Sequence, residues 1–378
     1  GMESRWELDL DRETFLARYW QRKPLLIRSA ITGFQPPLTR HELAGLALEE
    51  HVESRIIECV DDQWQLHHGP FAAADLRRDT AWTLLVQAVD HYIPEVARLR
   101  KLVDFIPQWR VDDVMVSYAV DGGSVGPHYD NYDVFLLQGE GERLWRTGQF
   151  CDADAPLLPH GELRILSEFQ AKEEYLLKAG DMLYIPPGIA HWGIARGECT
   201  TFSIGFRAPR VNDMVSRWVD RLLEQMDPEL FYSDAGQSPA SRPGEIRQRD
   251  LDRALAQLQA ALDQECCNHW FGALVTEPRY EPEPDNDDLA EARALLQTGE
   301  GWVGLSPAAK LAWQQEVDGI AVFANGDSAI FPPAVLPALV TLCDTWRLER
   351  DELAGVLADG ACAGLLDYLL ESGCIYVE

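Results

Sequence analysis

Between residues 114 and 204 the chain repeats one pattern, a short apolar or alternating run closed by Gly, Pro or Asp. The runs are Val114-Met115-Val116-Ser117-Tyr118, Val134-Phe135-Leu136-Leu137, Tyr175-Leu176-Leu177, Met182-Leu183-Tyr184-Ile185 and Thr201-Phe202-Ser203-Ile204. Several short strands at this spacing, with turn signals between them, predict a β-sandwich or barrel. The stretch before about residue 105 is mixed. Trp82-Thr83-Leu84-Leu85-Val86-Gln87-Ala88-Val89 and its continuation to Arg100 read as helical.

After Pro209 the period becomes helical. From Val211 to Tyr232, residues Met214, Val215, Trp218, Leu222 and Leu223 fall on one stripe, with Asn212 or Asp213 as N-cap. Residues 236–244 form a flexible Gly/Ser/Pro connection, and 245–272 read as a second amphipathic helix carrying Ile246, Leu251, Leu255, Leu258 and Leu262. A proline-rich acidic linker, Glu277-Pro278 through Glu281-Pro282-Glu283-Pro284-Asp285, follows. The last hundred residues alternate short helices (287–297, 333–344, 350–357, 361–371) with strand-like Ile320–Ala324 and Cys374–Val377. That combination predicts a winged-helix-like module. The expected class is therefore α+β and multi-domain, divided as 1–210, 211–276 and 277–378.

Charge narrows the partners. The 378 residues carry 33 Lys+Arg against 62 Asp+Glu, a formal charge of −29. Residues 211–378 hold 30 acidic and 11 basic groups, so the C-terminal part is the more anionic. A field of this sign repels phosphate backbones and anionic lipid, so direct nucleic-acid binding is not expected and a basic protein is the natural partner. Solubility alone also accounts for the acidity. No window of 18 charge-free apolar residues exists, and the eight cysteines contain no C-x-x-C. The N-terminus begins charged, with Gly1 reading as a cloning remnant, and shows no signal-type apolar run. These features predict a cytoplasmic protein with reduced thiols.

The chemistry is concentrated in two segments. Gly126-Pro127-His128-Tyr129-Asp130 places His128 and Asp130 on one face of an extended chain. Gly180-Asp181-Met182-Leu183-Tyr184-Ile185-Pro186-Pro187-Gly188-Ile189-Ala190-His191 brings a second imidazole through a turn whose prolines and glycine fix its path. Two imidazoles and one carboxylate on one face leave open positions on an octahedral ion, which suits Fe(II) with a bidentate cosubstrate and O2. The competing reading is a pair of core histidines and a surface carboxylate. Arg143, on the strand-like Glu142-Arg143-Leu144-Trp145-Arg146, is a candidate for a cosubstrate's distal carboxylate. The competing reading is a surface arginine paired with Glu140 or Glu142, and Arg146 offers the same chemistry three residues on.

Pro127-His128-Tyr129-Asp130, Val134-Phe135-Leu136-Leu137-Gln138, Arg143-Leu144-Trp145-Arg146, Gly180-Asp181, Pro186-Pro187-Gly188, His191 and the closing Ser203-Ile204-Gly205-Phe206-Arg207-Ala208-Pro209 together resemble the JmjC-type 2-oxoglutarate-dependent ribosomal oxygenases. Within them the bacterial arginine-hydroxylating branch is the most similar. The resemblance is residue-specific over about 110–209, and the layout of the whole chain follows it. It implies a double-stranded β-helix (jelly-roll, cupin-like) barrel with an N-terminal α/β elaboration, a helical dimerisation domain and a winged-helix-like C-terminal domain. It further implies His128, Asp130 and His191 as Fe(II) ligands and Arg143 as the 2-oxoglutarate anchor. Ser203 and Thr201 become further cosubstrate contacts, against the reading of ordinary strand polarity. Asp121 becomes a partner for a substrate guanidinium, against the reading of a turn aspartate.

The expected activity is a protein arginine 3-hydroxylase that uses Fe(II), 2-oxoglutarate and O2 on the β-carbon of an arginine in large-subunit ribosomal protein sixteen, acting as a homodimer. Rival readings are a ribosomal protein histidyl hydroxylase, a lysine demethylase, a cupin isomerase or zinc hydrolase, and a non-enzymatic metal-binding cupin-like scaffold.

Overall fold

A computed structural model describes residues 6–282 and 285–378. The charged N-terminal residues 1–5, including Gly1, and Glu283-Pro284 of the acidic linker lie outside the described residues. The chain divides into two compact units, Gly1–Ala208 with Gly304–Ala309, and Pro209–Val303 with Lys310–Glu378.

In the first unit, helices α1 (Arg12–Arg18) and α2 (Arg40–Ala47) begin on Asp11 and Thr39, whose side chains accept a first-turn backbone N–H. The eleven strands of this unit, the first of them between α1 and α2, are in chain order β1 (Leu25–Ile27), β2 (Ser54–Val60), β3 (Gln63–His68), β4 (Trp82–Val86), β5 (Val111–Ala119), β6 (Val134–Gln138), β7 (Glu142–Phe150), β8 (Glu173–Leu177), β9 (Met182–Ile185), β10 (Ile189–Arg196) and β11 (Cys199–Phe206). Eight form one sheet in the order β1-β9-β6-β11-β5-β4-β2-β3, and three form a second, β10-β7-β8. Neighbours within β1-β9-β6-β11-β5 and within the second sheet run antiparallel with crossovers between sheets, the topology of a double-stranded β-helix.

Alternation along the strands separates two cores. Val114, Val116, Phe135, Leu137, Met182, Tyr184, Phe202 and Ile204 point outward into a core shared with Phe15, Leu38, Leu43 and Leu99 from the N-terminal layer. The opposite faces look into the barrel, where Leu136, Trp145, Leu177, Leu183 and Ile185 pack together. That inner face also carries the polar side chains.

The helical expectation for Trp82–Arg100 is wrong at its start. Trp82–Val86 is β4, a fully buried strand between β5 and β2. A short apolar run buried on both faces has no alternation to betray it, so periodicity could not separate strand from helix. The helical part that follows is broken, with a 3₁₀ turn at Val89–His91, one turn of helix (α3, Pro94–Ala97) and a 3₁₀ segment at Arg98–Val103.

In the second unit α4 (Val211–Gln225) has Arg210 at its N-cap position, with no side-chain cap, in place of Asn212 or Asp213, and stops short of Tyr232 because Pro228 cannot continue it. The expected helix over 245–272 is two, α5 (Gln248–Leu262) and α6 (His269–Val275). The break lets α6 lay Gly272 on the Phe323 ring, where a Cβ would come within 2.4 Å. Tertiary packing overrides the local pattern there.

The remainder has helices α7 (Asn286–Thr298), α8 (Leu336–Thr345), α9 (Arg350–Ala358) and α10 (Gly360–Glu371). Its strands are β12 (Val303–Leu305), β13 (Leu311–Gln315), β14 (Ile320–Ala324), β15 (Asp327–Phe331), β16 (Arg347–Leu348) and β17 (Ile375–Val377). They form two small sheets, β16-β12-β17 and β13-β14-β15. Among the described residues no single helix is long and apolar enough to cross a membrane.

Candidate metal and cosubstrate site

The two motif segments are bound to each other by backbone. His128 N–H donates to the His191 carbonyl (3.0 Å), His191 N–H returns to the His128 carbonyl (2.8 Å), and Gly188 N–H donates to the Asp130 carbonyl (2.8 Å). Gly188 has φ +83°, and a Cβ there would meet the Phe150 ring at 2.5 Å. The glycine of the Pro-Pro-Gly turn is therefore required both by its backbone and by its neighbour.

Three ligand atoms converge. The Nε2 atoms of His128 and His191 lie 3.7 and 3.6 Å from Asp130 Oδ2, and one donor atom from each residue falls within 4.8 Å of the others. Nδ1 of His128 faces the Gly126 carbonyl at 3.0 Å, and Nδ1 of His191 faces the Ile189 carbonyl at 2.8 Å. Each carbonyl holds the ring proton on Nδ1 and leaves the Nε2 lone pair free, which is how metal-binding imidazoles are oriented. Burial, reinforced by neighbouring His128, pushes the His191 imidazolium down to about 4, so this ring is neutral near pH 7 and ready to ligate. The donor set fits a divalent ion of the iron type.

Buried side chains brace this cluster. Asp133, three residues past Asp130, accepts from Tyr184 Oη (2.5 Å) and Gln21 Nε2 (2.9 Å) and lies 3.6 Å from Arg110 Nη2. Burial raises the Asp133 carboxyl above its usual range, against the pull of those donors. Asp181 of the Gly-Asp pair is not a ligand. Its carboxylate accepts from the backbone N–H of Ser29 (2.8 Å) and Lys178 (2.9 Å) and from Arg28 (3.1 Å), tying the turn before β9 to the end of β1.

Strand alternation decides between the two arginines. Arg146 is on the outer face of β7 and pairs with Glu174 at 2.9 Å. Arg143 is 3% exposed on the inner face, and its Nε and Nη2 have no acceptor among the described residues. An orphaned guanidinium edge inside an apolar barrel fits a carboxylate and little else. Arg143 is opposite Ala195 on β10, four residues from His191, so its Cα lies roughly 13 Å along the strand from the histidine.

Between them stands Trp145, opposite Gly193. Its ring is 5.9 Å from that of His191, and the Arg143 guanidinium lies 5.7 Å from the indole centroid.

Thr201 and Ser203 also face inward from β11 and are buried; Thr201 Oγ1 donates to Gln138 Oε1 at 3.3 Å. Asp121 is not gathered into this site. Its carboxylate accepts from Gly197 N–H (2.8 Å) at the other end of β10, roughly 20 Å along the strand from His191. The turn reading describes its contact. Sequence reasoning missed Trp145 and Gly193 as a pair, and it missed Asp133. Only the i+2 spacing of Trp145 from Arg143 hinted at the first.

A two-histidine, one-carboxylate cluster facing a buried cation inside a double-stranded β-helix defines the oxygenase class of cupin barrels. A JmjC domain model matches residues 98–214, a ROXA-like winged helix model residues 254–376, and an AraC-like ligand binding domain model residues 169–269. The ribosomal protein uL16 3-hydroxylase of Escherichia coli (strain K12) is 35% identical over 99% of this chain and 99% of its own length. A probable ribosomal oxygenase of Haemophilus influenzae is 32% identical, covering 83% and 81%. The solved structure of YcfD, a ribosomal oxygenase from Escherichia coli in complex with cobalt and 2-oxoglutarate, matches with a TM-score of 0.81 at 32% identity over 99% of this chain and 100% of that one. The chain belongs to the JmjC ribosomal oxygenases.

Proposed function

We propose that the protein is a 2-oxoglutarate- and Fe(II)-dependent oxygenase that hydroxylates the β-carbon of an arginine in ribosomal protein uL16. The observation that carries this reading is the orphaned Arg143 edge inside the same barrel as the His128–Asp130–His191 cluster. Similarity over nearly the full length of a uL16 3-hydroxylase supports the substrate.

In this reading His128, Asp130 and His191 hold the ion on one face, with both imidazoles presented through Nε2. Arg143 holds the far carboxylate of 2-oxoglutarate through its Nε/Nη2 edge, and Thr201 and Ser203 supply weaker polar contacts from β11. When bound, iron and 2-oxoglutarate supply the oxidising power: the acid and O2 become succinate and carbon dioxide while one C–H becomes C–OH. The chain's own work is to fix the ion, exclude water with Leu136, Leu183 and Ile185, and present one substrate carbon. Asp133 and its donors hold the Asp130 loop in place without touching the reacting atoms.

The domain proposal is a catalytic barrel over 1–210, a dimerisation region over 211–276 and a winged-helix-like region over 277–378. Exposed apolar side chains on α4 (Val215, Leu223) and α5 (Leu251, Leu255, Leu258) support a homodimer. A ribosomal protein substrate supports a cytoplasmic site of action, and the −29 charge suits a basic partner better than nucleic acid.

The test is turnover of a uL16 peptide containing the target arginine, with Fe(II), 2-oxoglutarate and O2. The expected product is heavier by one oxygen at the arginine, and no formaldehyde is released. Formaldehyde would mark a demethylase, modification at histidine a histidyl hydroxylase, and no 2-oxoglutarate turnover a scaffold.

A further inference from the structure

Three buried N–H groups inside the barrel lack an acceptor among the described residues: Arg143 Nε, Arg143 Nη2 and Trp145 Nε1. Arg143 and Trp145 are separated by one residue on β7 and so share its inner face. Trp145 is 4% exposed and packed among Leu136, Leu177, Leu183 and Ile185, none of which offers a side-chain acceptor. The face of its six-membered ring lies over Gly193, where a Cβ would sit 2.7, 2.7 and 2.8 Å from Cη2, Cζ3 and Cε3. The indole is thus fixed between the His191 ring and the Arg143 guanidinium.

A tryptophan present only for its volume would be replaceable by an aromatic with no polar atom, because buried polar groups are normally hydrogen-bonded. Here three donor atoms are left without a partner on one inner strand face, an arrangement satisfied by an anion with more than one oxygen. We propose that the Trp145 N–H is a third donor to the 2-oxo diacid, acting on the carboxylate that Arg143 grips, and that the bare α-carbon of Gly193 sets the indole where it can do so. This rests on the oxygenase reading above.

The experiment uses full-length protein loaded with Zn(II), which holds the site without turnover, and 15N-labelled tryptophan. One indole N–H signal, identified by its loss in Trp145→Phe, is expected to move on addition of 2-oxoglutarate. Trp145→Phe is expected to weaken 2-oxoglutarate binding about tenfold in calorimetry, the size of one hydrogen bond to a charged group, with Zn(II) binding unchanged. Gly193→Ala, which displaces the same ring without removing the N–H, is expected to shift the same signal and weaken the same binding. The proposal is overturned if wild type binds 2-oxoglutarate while the Trp145 signal stays still, or if Trp145→Phe binds as tightly as wild type. Should Trp145→Phe fail to fold, Gly193→Ala decides, and unchanged binding there overturns the proposal. Absence of 2-oxoglutarate binding by wild type overturns instead the oxygenase reading on which it rests.

Discussion

Asp130→Ala leaves two imidazoles facing one another across the space that a cation would fill. Iron affinity is expected to fall by more than the roughly 10- to 100-fold typical of losing a group that merely supports a ligand, measured by competition with a chelator. Arg143→Lys keeps the charge but loses the planar fork, so the KM for 2-oxoglutarate is expected to rise about tenfold with metal binding intact; Arg143→Ala raises it further. A KM unchanged in both would remove Arg143 from the cosubstrate site. The convergence of His128, Asp130 and His191 was legible in the amino-acid sequence because ligand chemistry limits the residue types and the strand period fixes their facing. The choice of Arg143 over Arg146 was half-legible, since alternation says that one of them points in but not which. Trp145 was not legible, because its placement depends on a missing side chain on a different strand, a fact of register and not of local pattern.

Secondary elements show the same division. Strands β5, β6, β8, β9 and β11 could be read because each carries an apolar run closed by a turn residue, and α7, α9 and α10 fell within a residue or so of expectation. β4 was misread because burial on both faces erases the alternation that marks a strand. The β2–β3 hairpin at the sheet edge is joined to the chain before β4 by one carboxylate. Glu58 accepts from Arg78 (2.9 and 3.1 Å), Thr80 (2.6 Å) and, at 2.9 Å, faces His67 Nε2. The Arg78 guanidinium and these hydrogen bonds hold its carboxyl down to about 2, well below the usual value. A carboxyl depressed on folding stabilises the native state above its unfolded value, and that contribution fades as pH falls from about 4.5 through 2. Glu58→Gln is therefore expected to cost about 3 kcal/mol at pH 7 in urea melts, with the gap from wild type narrowing below pH 4. An unchanged gap at pH 3 would show that the loss is one of packing and not of charge.

For the molecule as a whole, the apolar faces of α4 and α5 and the large negative charge carry the predictions. Leu255→Asp, at a position 52% exposed on α5, is expected to shift the sedimentation of a micromolar sample from dimer to monomer. A wild-type chain already monomeric at that concentration would refute the dimer. Steering of a basic substrate by a −29 chain predicts that kcat/KM for intact uL16 falls steeply between low and physiological salt, while that for 2-oxoglutarate alone changes little.

The backbone ladder joining His128 to His191 and Gly188 to Asp130 has a consequence for handling the protein. These backbone hydrogen bonds involve no ion, so a chelator is expected to empty the site without melting the barrel. Two imidazoles and an acid cannot by themselves reject the tighter-binding late transition metals, because raw affinity of such a donor set follows the ions. Which ion occupies it is thus decided by what the surrounding medium offers, and a preparation exposed to nickel or zinc will be well folded, fully loaded and inert.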